Sequence, residues 1–152
     1  MKKILFICHG NICRSPMAEF IFKKIARDNG LENEFLIESA ATSSEEIGND
    51  MHFGAKEKLR EMNVPFERRH ARRITKDDYE NYDLLIGMDI ENLYRMENLW
   101  DKDPDNKVKL LLSYAGKDRD IADPWYTHNF DQTYIDIEEG CTALLENLKK
   151  SL

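Results

Sequence analysis

Four short, dense apolar runs, residues 3–8 (KILFIC), 35–39 (FLIES), 83–88 (DLLIGM) and 108–112, alternate along the chain with stretches of helical period. This alternation constrains the fold more than any other feature. Strands that rejoin one sheet after each helix lie parallel, with right-handed crossovers and helices covering both faces. The expectation is an α/β three-layer sandwich on a four-stranded parallel sheet. Such sheets bind ligands beyond the carboxyl ends of their strands.

The helical stretches carry their own signals. Ser15-Pro16 reads as an N-cap and first helical residue, opening a helix with Met17, Phe20, Ile21, Lys24 and Ile25 near one face and Asn29-Gly30 at its end. Asn49 or Asp50 is the expected cap of a second helix running to about residue 62, and residues 75–78 read as a short helical turn. Asp89 starts another helix, to about residue 98. The last helix is the clearest, with Phe130, Tyr134, Ile137, Cys141, Leu144, Leu145 and Leu148 on one stripe.

A length of 152 residues fits one compact domain over 1–152, without linkers or repeats. No apolar run approaches the roughly 20 residues of a membrane helix, and the run after Met1-Lys2-Lys3 is too short for a secretory signal. Cys8, Cys13 and Cys141 are too few and too oddly spaced for a disulfide framework, and no Cys/His set has zinc spacing. A cytoplasmic location is expected. With 22 Lys plus Arg against 29 Asp plus Glu the net charge is −7, which argues against nucleic acid or an anionic membrane as partner. Residues 67–73 (ERRHARR) are the one strongly basic patch, and charge runs are usually solvated faces. An anionic ligand therefore needs a local device.

Residues 8–15 (CHGNICRS) supply one. Between a strand and a helix start, this loop can curl so that the backbone N–H groups of His9, Gly10, Asn11, Ile12 and Cys13 converge at the positive end of a helix dipole. Gly10 and Asn11 tolerate the left-handed conformations of such a curl. Arg14 adds a planar fork for two phosphate oxygens. Cys8 lies under the centre of the nest, where the converging dipoles, Arg14 and the Ser15 hydroxyl favour the thiolate. A thiolate behind a bound phosphate is placed for in-line attack, giving a phosphocysteine intermediate with no metal or other cofactor. Alone, a cysteine and an arginine separated by five residues are more often an inert buried thiol and an unrelated charge. The setting of strand, glycine turn, Arg, Ser-Pro and helix is what points to chemistry.

A phenolate leaving group needs a proton, and Asp123, before Pro124 in the loop after the fourth strand, can reach the same sheet edge. Asp118 and Asp120 are nearby acids, and Asp-Pro is commonly just a turn signal. Trp125 and Tyr126 are flat side chains suited to walling a slot for a phosphorylated ring, although loop packing accounts for Trp125 equally well.

Residues 8–16 (CHGNICRSP) together with Asp123-Pro124 resemble the low-molecular-weight protein tyrosine phosphatases. Residues 39–43 (SAATS), Gly48-Asn49, residues 71–75 (ARRIT) and Met88-Asp89 match further landmarks in order and spacing. The resemblance implies strand order 2-1-3-4, phosphotyrosine-containing proteins as substrates, inorganic phosphate as product, Asp123 as the general acid, and aromatics at Trp125 and Tyr126. Where the family often has an aromatic on the opposite rim, this chain has Glu45, which should disfavour acidic phosphopeptides. Asn11 and Ser39 are supporting candidates for holding the loop's curvature, Ser39 by bonding Asn11. Cys13 reads either as a packed thiol or, by the resemblance, as the partner of Cys8 in a reversible protective disulfide. Two rival readings are a thioredoxin-coupled arsenate reductase, for which no cysteine lies between Cys13 and Cys141, and an anion-binding module without turnover.

Overall fold

The computed structural model describes residues 1–152. Strands β1 (Lys2–Cys8), β2 (Phe35–Ala41), β3 (Leu84–Gly87) and β4 (Val108–Leu110) form one parallel sheet in the order β2-β1-β3-β4. The helices are α1 (Arg14–Asp28), α2 (Phe53–Glu61), α3 (Asp78–Asn81), α4 (Ile90–Leu99), α5 (Pro124–Thr127) and α6 (Phe130–Lys149). Register places Cys8 beside Ala41, Ile7 beside Gly87, and Gly87 beside Leu110, so the carboxyl ends of all four strands share one edge.

The period-two alternation of β1 divides the core. Ile4, Phe6 and Cys8 face the larger apolar cluster with Met17, Ile21, Ile137 and Leu144 from α1 and α6, while Leu5 and Ile7 face Tyr79, Met96 and Trp100. Burying each such side chain contributes about 1.5–3 kcal/mol. β1 is therefore covered on both sides, and the loop leaving it starts from a fixed point.

Several boundaries depart from the sequence expectation for physical reasons. Ser15 is not the cap of α1: the N-cap is Cys13, with no side-chain bond, and the wholly buried Ser15 hydroxyl is turned toward Cys8 instead. Pro16 is tolerated because the first-turn N–H groups have no intrahelical partners. Neither Asn49 nor Asp50 caps α2. That helix begins at Phe53, and His52 Nδ1 accepts the Gly54 N–H at 3.0 Å. Asp50 accepts the N–H groups of Met51 and Arg69 and pairs with Lys56 Nζ at 2.7 Å. β4 stops at Leu110, where residues Leu111–Ala115 tighten into a 3₁₀ turn. Asp89 does cap α4, in a reciprocal capping box with Asn92.

Candidate active site

Cys8 ends β1 almost completely buried, and the chain folds back over its sulfur. The N–H groups of Asn11 and Ser15 donate to Sγ at 3.3 and 3.4 Å, and Ser15 Oγ lies 3.0 Å away. Two N–H donors and one hydroxyl thus surround a single sulfur. The curl is made by Asn11 alone, with φ of 59°. Gly10 has no positive φ, contrary to the sequence expectation. An added Cβ there would meet Glu46 Cγ at 3.4 Å, an ordinary packing contact.

Arg14 is 2% exposed and held on three sides. Nη1 donates to Asp89 Oδ2 at 2.7 Å and to the Ile121 carbonyl at 2.9 Å, and Nη2 donates to Asp123 Oδ2 at 3.3 Å. Burial works against its charge, but the Cys8 sulfur, Asp123 and Asp89 outweigh burial and hold the proton more tightly than usual. Asp123 reaches this point because the Ile121 N–H donates to the Met88 carbonyl, pinning the segment to the edge beyond β3. Its Oδ1 caps the short α5 by accepting the Trp125 N–H at 3.0 Å.

A cavity of about 110 Å³ opens above the sulfur, room for a tetrahedral group displacing several waters. Cys8, Cys13 and Arg14 are among its lining, with Gly10 and Ile12 from the loop, and Asp123, Trp125, Tyr126, Glu45 and Glu46 complete it. Trp125 and Tyr126 are 51% and 76% exposed, open to a ring entering between them and the loop. His9, Asn11 and Ser15 do not line the cavity. His9 turns to the rim, where its Nε2 meets Glu45 Oε2 at 2.7 Å. Asn11 sits behind the loop, where its Nδ2 donates to Ser15 Oγ at 2.8 Å and to Ser39 Oγ at 3.0 Å. Ser39 in turn donates to Glu19 Oε1 at 2.7 Å.

Cys13 is a free thiol, as are Cys8 and Cys141. Burial and the adjacent Cys8 push the Cys13 thiol well up, so it resists ionisation. No group of three or more His, Cys, Asp or Glu side chains is gathered as a metal site. No helix is long and apolar enough to cross a membrane.

Sequence reasoning missed five contributors. Glu46 follows Glu45 but carries no pattern of its own. Asp89 was readable as a helix start, not as a partner of Arg14. The Ile121 carbonyl has no side-chain signal at all. His52 sends its N–H to the Ile12 carbonyl at 2.8 Å and its ring edge-on to Trp125 at 5.7 Å. Arg69 lay in the run read as solvated, yet it donates to Asn11 Oδ1.

Comparison with known proteins agrees with this arrangement. The model of the low molecular weight phosphotyrosine protein phosphatase family matches residues 3–152. The low molecular weight protein-tyrosine-phosphatase YfkJ of Bacillus subtilis is 39% identical, over 99% of this chain and 97% of that one. Its crystal structure superposes with a TM-score of 0.96, covering 99% and 96% of the two chains at 38% identity. The Homo sapiens low molecular weight phosphotyrosine protein phosphatase is 36% identical over 95% of this chain and 94% of its own. The Streptococcus pyogenes low molecular weight protein tyrosine phosphatase superposes at 0.88, with 36% identity over 97% and 93%. This chain belongs to the low molecular weight phosphotyrosine protein phosphatase family, whose members are hydrolases.

Proposed function

We propose that residues 1–152 act as one catalytic unit in the cytoplasm. It hydrolyses phosphotyrosine in proteins, and small aryl phosphates, through a phosphocysteine intermediate without a metal. The observation that carries this reading is the convergence of Cys8 Sγ, the Arg14 guanidinium and the Asp123 carboxyl on one small cavity. In the first step the Cys8 thiolate attacks phosphorus in line, the bond to the phenolic oxygen breaks, and Asp123 gives that oxygen its proton. Arg14 and the loop amides hold the three equatorial oxygens as charge shifts among them, each donor contributing roughly 10²–10³ in rate. In the second step water attacks phosphorus, Asp123 takes its proton, the S–P bond breaks, and inorganic phosphate leaves with the thiolate restored.

Asp89 and the Ile121 carbonyl keep Arg14 aimed. Trp125 and Tyr126 set the depth of the slot, so that a phosphotyrosine reaches the sulfur while a phosphoserine falls short. Glu45, paired with His9, and the neighbouring Glu46 make the rim acidic, which disfavours phosphopeptides with acidic flanks. Cys141 is wholly buried on α6 with its thiol directed at the Ala18 carbonyl, a poor position for relaying a disulfide in an arsenate reductase.

The test is hydrolysis of an aryl phosphate in excess EDTA. Full turnover is expected, with Cys8→Ser lowering kcat by at least about 10⁴-fold. Asp123→Ala should slow turnover about 10²–10⁴-fold for poor leaving groups, and much less for good ones. Full activity in Cys8→Ser would sink the mechanism, and dependence on added metal would sink its metal-free form. Phosphotyrosine peptides should be cleaved in preference to phosphoserine peptides of the same sequence.

A further inference from the structure

The basic run does more than face solvent. Residues 69–73 lie as a strap across the end of β2: the Ala41 N–H donates to the Arg72 carbonyl at 2.7 Å, the Ile74 N–H donates to the Ala41 carbonyl at 2.8 Å, and Arg73 bridges to Ala41. Asp78 takes the Arg72 guanidinium on both oxygens, at 3.0 and 3.2 Å. The Arg69 N–H is fixed on Asp50 Oδ1 at 3.2 Å. Strapped down in this way, the segment turns the Arg69 guanidinium inward onto Asn11 Oδ1, and its Nη1 also donates to the Asn49 carbonyl at 3.4 Å.

Asn11 is the residue on which the loop turns. It is wholly buried in the left-handed region, where a non-glycine residue persists only if its surroundings hold it there. Its amide is saturated. Both Nδ2 hydrogens are taken, by Ser15 and Ser39, and both Oδ1 lone pairs are taken, by Arg69 and by the Arg72 N–H at 3.3 Å. The main-chain N–H of the same residue donates to Cys8 Sγ. A guanidinium that grips the Asn11 carbonyl therefore controls the aim of one of the two N–H donors on the sulfur, and, through the Asn11 Nδ2 hydrogen bond to Ser15 Oγ, the hydroxyl beside it.

We propose that Arg69 is a positioning residue for the nucleophile, locking Asn11 in its left-handed turn and placing a permanent positive charge behind the Cys8 sulfur. This rests on the reading of Cys8 as the nucleophile. Burial lowers the guanidinium's hold on its proton, only partly offset by the charges of Glu19, Cys8 and Asp50. Asn11 alone stands between the two, gripped by the guanidinium at its Oδ1 and donating its N–H to the sulfur, and arginine keeps its charge throughout the working range of pH. A plain structural strap would need only the backbone contacts of Arg69 and Arg72. The inward guanidinium adds a charge that the strap does not require.

The test uses Arg69→Met, Arg69→Gln and Arg69→Lys in the full chain. Hydrolysis of an aryl phosphate is measured beside the rate at which iodoacetamide alkylates Cys8, followed on the Cys8 peptide by mass spectrometry from acid to alkaline pH. In Arg69→Met the alkylation profile should move toward alkaline pH, with Cys8 reacting about tenfold more slowly at pH 6, and kcat should fall about tenfold. Arg69→Lys should keep most of the parent alkylation rate. Arg69→Gln, which offers a donor without a charge, should follow Arg69→Met, and it supplies the same comparison if Arg69→Met does not fold. An alkylation profile in the neutral variants that superposes on the parent's overturns the proposal, whatever the loss of thermal stability. Alkylation reports on the sulfur without turnover, so this outcome is separate from retained hydrolysis in Cys8→Ser, which would overturn the nucleophile itself.

Discussion

Asp89 serves two elements with one carboxylate. Its Oδ1 accepts the Asn92 N–H at 2.7 Å and caps α4, while its Oδ2 takes Arg14 Nη1 at 2.7 Å. The first job is local and was legible as a helix start. The second joins residues 75 positions apart and leaves no mark on the sequence. The two separate by substitution. Asp89→Asn keeps an oxygen for the cap but turns an amide toward the guanidinium, so it should lower kcat about tenfold through a lost charged hydrogen bond. Its stability should fall only by what the lost pairing of the buried guanidinium costs, with the cap retained. Asp89→Ala should show the same kinetic loss plus about 1 kcal/mol of stability from the missing cap, read by urea denaturation. Equal stability losses in the two variants would contradict this division. Ser15 teaches the complementary lesson: Ser-Pro before an apolar stripe signals a helix start whether the hydroxyl caps the helix or, as here, serves the sulfur.

Elements were legible where their signals are local, and their ends were not where a tertiary contact decides. The start of α2 illustrates this. Asn49 and Asp50 are good caps by residue type, but Asp50 is engaged by Lys56, Met51 and Arg69, and the cap falls to His52, a residue with little N-cap signal. The His52 ring stacks on Phe53 and Phe130 at 4.7 and 5.6 Å, which ties α2 to α6 beside the mouth of the cavity. A second close approach, on the far part of α6, is a cleaner probe of packing. A Cβ on Gly140 would stand 2.6 Å from Leu111 Cγ, in the 3₁₀ turn after β4. Gly140→Ala should improve the intrinsic helix propensity of α6 yet destabilise the protein by about 1–3 kcal/mol, because the turn or the helix must shift. Chemical denaturation measures this, and a stabilised variant would mean that the contact relaxes freely.

Across the whole molecule, the strand, glycine turn and helix pattern, with the Asp-Pro loop, made both the sheet and the heart of the candidate site readable. At the back of the site the bond between Asn11 and Ser39 was readable, but Arg69 and Glu19 were not, because Arg69 reaches Asn11 and Glu19 reaches Ser39 only after β2 and its strap have folded beside β1. The same long-range assembly sets the response to pH at both ends. Burial pushes the Asp50 carboxyl up, but Lys56 and the N–H groups of Met51 and Arg69 outweigh it and hold the group at about 2. Its stabilising contribution is therefore complete above the unfolded value of about 3.9 and is lost as pH falls from there toward 2. Asp50→Asn should be less stable at neutral pH and should lose less on acidification, as followed by circular dichroism. The alkaline limb has the opposite sign. Burial raises Tyr79, Tyr82 and Tyr114 to about 12, with Asp103 and Glu38 reinforcing the first two, and burial also raises Tyr134. A phenol held neutral in the fold contributes fully below the unfolded value of about 10, and that contribution disappears as pH rises from 10 through 12. Tyr114 isolates the effect, because its shift comes from burial alone and its hydroxyl has no hydrogen-bond partner in the fold. Tyr114→Phe should match the parent at pH 7 within about 0.5 kcal/mol but decline less steeply above pH 10 in urea titrations. Both proteins carry the same growing excess of negative charge there, so the comparison removes general repulsion. Parallel alkaline curves would show that this phenol ionises without opposing the fold.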